Sequence, residues 1–158
     1  MSRENARCAA EKESSRFRNK SNSFHFISVN RYSRKTTIVG IDIEGEFQAL
    51  IYFANYQFSD PECLLNWTTS EKSGIYAILV QDSASRSRPY RVIYFGESED
   101  MSERGYFKSH YRYDRWVREA GKETELYISV FPMPGSTPQL RQGIEAFLIK
   151  YYRPSCNL

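Results

Sequence analysis

The chain has 158 residues, a length that suits one domain and can bury a core without disulfide or metal staples. Hydrophobic residues at 41% and charged residues at 26% are ordinary for a water-soluble fold, and the net charge of +3 excludes an acidic solvating protein. Three cysteines, Cys8, Cys63 and Cys156, with no C-x-x-C pair, exclude a four-cysteine zinc site, make a disulfide framework unexpected and fit a reducing cytoplasm.

Charge is unevenly placed. Residues 1–35 carry nine Lys/Arg against three Asp/Glu, residues 36–72 one against six, and residues 73–158 twelve against ten. Residues 1–23 read as a disordered basic arm, too polar to offset the entropy of ordering, and they lack the apolar core of a secretory leader. Residues 24–72 read as a β-rich N-terminal extension with strands at Thr36–Ile41 and Glu46–Phe53 and a break at Asp60-Pro61. The uncharged run Phe47 to Ser59 has 13 residues and several polar side chains, so no membrane span is expected there.

Ser73-Gly74 opens a strand at Ile75–Val80. A Ser/Arg-rich loop, Gln81 to Pro89, carries Arg86 and Arg88 at the tip of a hairpin whose second strand is Tyr90–Phe95. A helix is expected from about Asp100 to Ala120 with Gly121 as its C-terminal cap, and Leu126–Phe131 alternates as a third strand. Ser136 or Thr137 caps the last helix, Pro138 suits its first turn, and Pro154 ends it. Leu140, Ile144, Phe147, Leu148 and Tyr151 form its apolar stripe.

Several residues suggest chemistry. Glu145 reads either as an i, i+4 partner of Arg141, contributing a few tenths of a kcal/mol, or as a carboxylate for one Mg²⁺ or Mn²⁺ ion. Tyr76 and Tyr94 read either as core residues or as proton-transfer groups. A tyrosine with a pKa near 10 needs a nearby cation to act as a base. Arg104, Lys108, His110, Arg112, Arg115 and Arg118 are interleaved with Tyr106, Phe107, Tyr111, Tyr113 and Trp116, a mixture suited to phosphates and base faces, though acidic neighbours dilute it. His25 and His110 are too far apart for a histidine metal site.

Taken together, these segments resemble the GIY-YIG nuclease family over residues 73–158. Gly74-Ile75-Tyr76 matches its first motif, and Tyr94-Phe95-Gly96 its second with Phe for Ile. Arg104 stands where the family places its arginine. The run Arg141…Ile144-Glu145…Pro154…Asn157 is similar to its metal-glutamate helix and terminal Pro-x-x-Asn. Two departures are Glu97, where many members carry a cation, and Lys108 at the expected histidine position, with His110 two residues on.

The resemblance implies an α+β fold, a small α/β/α sandwich around a three-stranded antiparallel sheet. It implies a cytoplasmic, Mg²⁺- or Mn²⁺-dependent endonuclease acting on DNA more than RNA. Glu145 would hold the single ion. Tyr76 or Tyr94 would orient or deprotonate water, Arg104 would stabilise phosphate charge, His110 would assist proton transfer, and Asn157 would support the site. Lys108, Arg112, Arg115, Arg86 and Arg88 would contact nucleic acid. Specificity would fall to a loop, a homodimer or a targeting partner protein. The alternative is a module that binds branched or single-stranded nucleic acid without cutting.

Overall fold

The computed structural model describes residues 37–43, 46–68, 73–82, 89–102 and 107–158, with backbone alone for the strands up to residue 50. The arm at 1–23 and the expected site residues Arg86, Arg88 and Arg104 lie outside the described residues.

The fold is mixed α+β. Strands β1 (Thr37–Ile43), β2 (Glu46–Phe53) and β3 (Tyr56–Phe58) form an antiparallel sheet in that order. A second sheet has the order β4-β7-β5-β6, from β4 (Glu62–Cys63), β5 (Gly74–Gln81), β6 (Tyr90–Ser98) and β7 (Tyr127–Pro132). The expected three strands are therefore joined by a two-residue fourth. Among the described residues, the α-helices are α1 (Tyr113–Ala120) and α2 (Pro138–Tyr152).

Alternation along β5 explains the layering. Tyr76, Ile78 and Val80 join one buried cluster with Trp116 of α1, while Ile75, Ala77 and Leu79 join another with Leu148 of α2 and Phe53 and Phe58 of the small sheet. A strand apolar on both sides is what a sheet covered on both faces requires. Phe53 meets the Phe95 ring edge-on at 5.0 Å and 89°, and the Ala54 N–H donates to the Tyr152 hydroxyl at 2.6 Å, so residues 51–58 are anchored to both β6 and α2.

The β5–β6 ladder holds one bulge. Ile78 pairs with Tyr94 and Leu79 with Val92, leaving Ile93 as the extra residue. Ile93 and Tyr94 consequently both lie in the cluster on the α1 side.

Among the described residues, the helix expected over 100–120 forms only at its end, Tyr113–Ala120. Local bonds divert the earlier backbone: Ser102 N–H donates to Asp100 Oδ1 at 2.9 Å, Phe107–Ser109 makes a 3₁₀ turn, and Arg112 N–H donates to His110 Nδ1 at 3.1 Å. Gly121, at φ +82°, does cap α1. In α2, Thr137 accepts from Leu140 N–H at 3.3 Å and Pro138 is the first residue, as the sequence indicates. Its buried face differs from the expected stripe. Leu140 and Phe147 are 54% and 45% exposed, whereas Arg141 is 2% exposed. The helix turns Arg141 inward because Glu97 and Ser136 satisfy its guanidinium.

Cys63 is disulfide-bonded, which departs from the expectation of a reduced chain, and Cys156 is free and buried. No described helix is long and apolar enough to cross a membrane.

Candidate active site

The site is built around the outer edge of β6. An edge strand leaves every second backbone group without a ladder partner. Here the C-terminal part of the chain takes those groups. Cys156 N–H donates to Ile93 O at 2.8 Å. Asn157 accepts from Phe95 N–H and donates to Phe95 O, both at 2.8 Å, with its amide taking the place of a neighbouring strand. The Glu145 carboxyl accepts from the Glu97 backbone. Asn157 thus clamps the residue between Tyr94 and Gly96.

On the α1 side, Tyr76 and Tyr94 lie with ring centroids 6.0 Å apart. His110 Nε2 is 3.3 Å from the Tyr76 hydroxyl. Because the Arg112 N–H points at His110 Nδ1, Nδ1 is the acceptor and the neutral ring carries its proton on Nε2. His110 therefore donates to the Tyr76 oxygen, and the Tyr76 proton is directed to another acceptor. The imidazole is held by stacking on Trp116 at 4.5 Å and on Tyr111 at 4.6 Å.

Gly96 is the cross-strand partner of Tyr76. Gly74 is equally constrained: a Cβ there would stand 2.5 Å from the Phe131 carbonyl oxygen. Both motif glycines are sites of close approach, not of unusual backbone angles.

Burial, followed by the nearby Tyr76, holds the Tyr94 phenol far above its ordinary value, so Tyr94 keeps its proton. Tyr94 and then Arg112 together hold the Tyr111 phenol below its ordinary value.

On the α2 side, Arg141 Nε bonds Glu97 Oε2 at 2.9 Å and its Nη1 donates to Ser136 O at 2.7 Å. The predicted Arg141–Glu145 pair is replaced by this one. Glu97 pairs in register with Ile75, so it sits on the face opposite Tyr76 and not beside the phenol. Glu145 is left without that cation. Burial, then the charge of Glu97, pushes its carboxyl up to about 7. Its charge adds to the raising of Tyr94 and works against the lowering of Tyr111, so it lies within electrostatic reach of both.

Among the described residues, no three or more His, Cys, Asp or Glu side chains converge on a point. Mg²⁺ needs only one or two protein carboxylates, with water and substrate oxygens supplying the rest. A desolvated Glu145 near a second carboxylate is short of positive charge, and so fits a divalent cation.

The remaining expected residues are placed as follows. Lys108 pairs with Glu123 at 3.1 Å, both exposed. Arg115 donates to the carbonyls of Leu158 and Ser155, tying α1 to the C-terminal segment. Arg112 stands over the Tyr111 ring, 5.3 Å from its centroid. The sequence presents Arg141 only as a partner of Glu145, and Tyr111 only as one of several aromatics beside the basic residues.

No protein-family model, curated protein or solved structure matches the chain.

Proposed function

We propose that this chain is a divalent-metal-dependent endonuclease of GIY-YIG type that hydrolyses phosphodiester bonds of DNA. The observation that carries the reading is the 3.3 Å contact between Tyr76 and His110, with Tyr94 beside it and Glu145 within electrostatic reach around the same strand. Support comes from the motif residues themselves. Tyrosines from sequence positions 18 apart meet because β5 and β6 pair, and Asn157 fastens the residue between Tyr94 and Gly96.

In this reading Tyr76 is the tyrosine that handles the attacking water. Its oxygen accepts from His110, so its own proton can be shared with a water beside the phosphate. Tyr94 keeps its proton and lies beside the Tyr76 ring. Glu145 would hold one Mg²⁺ or Mn²⁺ ion, which supplies charge neutralisation at a phosphate oxygen. Arg104, by the resemblance, would do the same. DNA is the expected partner, with RNA second.

The test is incubation of purified protein with supercoiled plasmid, with Mg²⁺, Mn²⁺ or EDTA, alongside Glu145→Ala. Nicking or linearisation that requires both metal and Glu145 is the expected result. Equal cleavage by Glu145→Ala would sink the metal assignment. Absence of cleavage on plasmid, branched DNA and RNA would leave the non-cutting module as the reading.

A further inference from the structure

Tyr111 is 78% exposed, yet its ring is held by two neighbours. His110 stacks against its ring at 4.6 Å and 29°, and is itself stacked on the buried Trp116 at 4.5 Å and 23°. The Arg112 guanidinium lies 5.3 Å from the Tyr111 ring centroid. An exposed aromatic ring ordinarily keeps its rotamer freedom, because ordering it costs entropy that exposure does not return. A ring immobilised without being buried is instead ready for a planar guest.

We infer that the exposed Tyr111 ring, on its His110–Trp116 stack, is a stacking site for one unpaired nucleobase, with Arg112 taking the adjoining phosphate. Charge selects the guest. An aromatic cluster can bind an ammonium group through its π faces, but the Arg112 guanidinium repels a cation and attracts an anion. A nucleotide joins a planar face to an anion within one residue's reach. A base inside a duplex has both faces covered by neighbours, so only a single-stranded or extruded nucleotide fits. The inference rests on the nucleic-acid part of the proposed function and specifies its substrate: a strand with at least one unpaired base next to the cleaved phosphate.

The test reads binding without cleavage. A fluorescein-labelled 12-nucleotide single strand and the matching duplex are titrated in EDTA at low salt with wild type, Tyr111→Phe and Tyr111→Ala, and again with single strands carrying one abasic position moved along the sequence. Stacking by one base corresponds to roughly 5- to 150-fold in affinity. Tyr111→Ala should weaken single-strand binding by that factor and leave the duplex unchanged, while Tyr111→Phe, which keeps the ring, stays within about threefold of wild type. One abasic position should reproduce the loss and add nothing further in Tyr111→Ala. Wild-type affinity in Tyr111→Ala, an equal loss for single strand and duplex, or no binding by wild type would each overturn the inference. Failure of the hydrolase reading is separate: it shows as absent plasmid cleavage while the Tyr111 effect in EDTA persists.

Discussion

Gly96 and Tyr76 face each other across the β5–β6 ladder, and a Cβ on Gly96 would stand 2.4 Å from the Tyr76 hydroxyl oxygen and from its ring carbon Cζ. The phenol occupies the volume that a side chain on Gly96 would take. Tyr76 is buried, so its ring has nowhere to swing. Gly96→Ala is expected to lower stability by about 1–3 kcal/mol through overpacking and to displace the hydroxyl from His110. Chemical denaturation with an unchanged m-value checks the first effect, and loss of the His110 Nε2–H signal by NMR the second.

The two tyrosines should separate kinetically. Tyr76→Phe removes the hydroxyl that His110 positions and is expected to reduce kcat by about 10²- to 10⁴-fold. Tyr94→Phe removes a group that remains protonated and should cost no more than about tenfold. Single-turnover cleavage assays on plasmid decide it, and the reverse order would transfer the role to Tyr94.

Glu145 ties the site to pH. Its folded value near 7 lies above the ordinary carboxyl value, so between roughly pH 4.3 and 7 the folded chain holds a proton that the unfolded chain has lost. Stability therefore falls as pH rises through that window, by at most on the order of 3 kcal/mol before solvent screening reduces it. Glu145→Gln should melt above wild type at pH 8 and level with it at pH 4. Millimolar Mg²⁺ should raise the wild-type melting temperature at pH 8 and leave Glu145→Gln unmoved.

Arg141 and Glu97 form a largely buried pair. Arg141→Met leaves the Glu97 carboxylate uncompensated and is expected to cost about 3–5 kcal/mol, whereas Arg141→Met with Glu97→Gln should recover part of that loss. A double-mutant cycle measures the coupling, and strict additivity would show that the two do not act as a unit.

Asn157→Ala strips both hydrogen bonds from the Phe95 backbone at an edge that the C-terminal segment otherwise covers. A loss of about 1–3 kcal/mol is expected, with faster amide hydrogen exchange concentrated at Phe95. Exchange unchanged at Phe95 would count against the clamp.

The parts that were legible in the sequence are those punctuated locally. Gly74 opens β5, Gly121 stops α1, and Thr137 and Pro138 open α2, each acting over a few residues, whereas β6 runs on through Gly96 to Ser98. What stayed hidden depends on distant partners. Arg141 looks like a surface residue until Glu97, 44 positions away, is brought beneath it. Two-residue β4 has no pattern of its own and exists because Glu62 and Cys63 meet Ile128 and Tyr127. The helix expected from Asp100 yields to side chains that compete for its backbone, at Asp100 and His110. The motif residues could be named from the sequence, but the protonated state of Tyr94 and the raised Glu145 follow only from burial.

Ile93 has one more implication. Without it, Val92 would still oppose Leu79 and Tyr94 would still oppose Ile78, so the extra residue does not determine which side chain points where. Its effect is on curvature: a bulged strand bends and twists more than its neighbour, and its carbonyl is the one that Cys156 reaches. A gene one codon shorter at this point would present the same side chains to the same sides along a straighter rim, and the Cys156–Asn157 segment would lose its first foothold there.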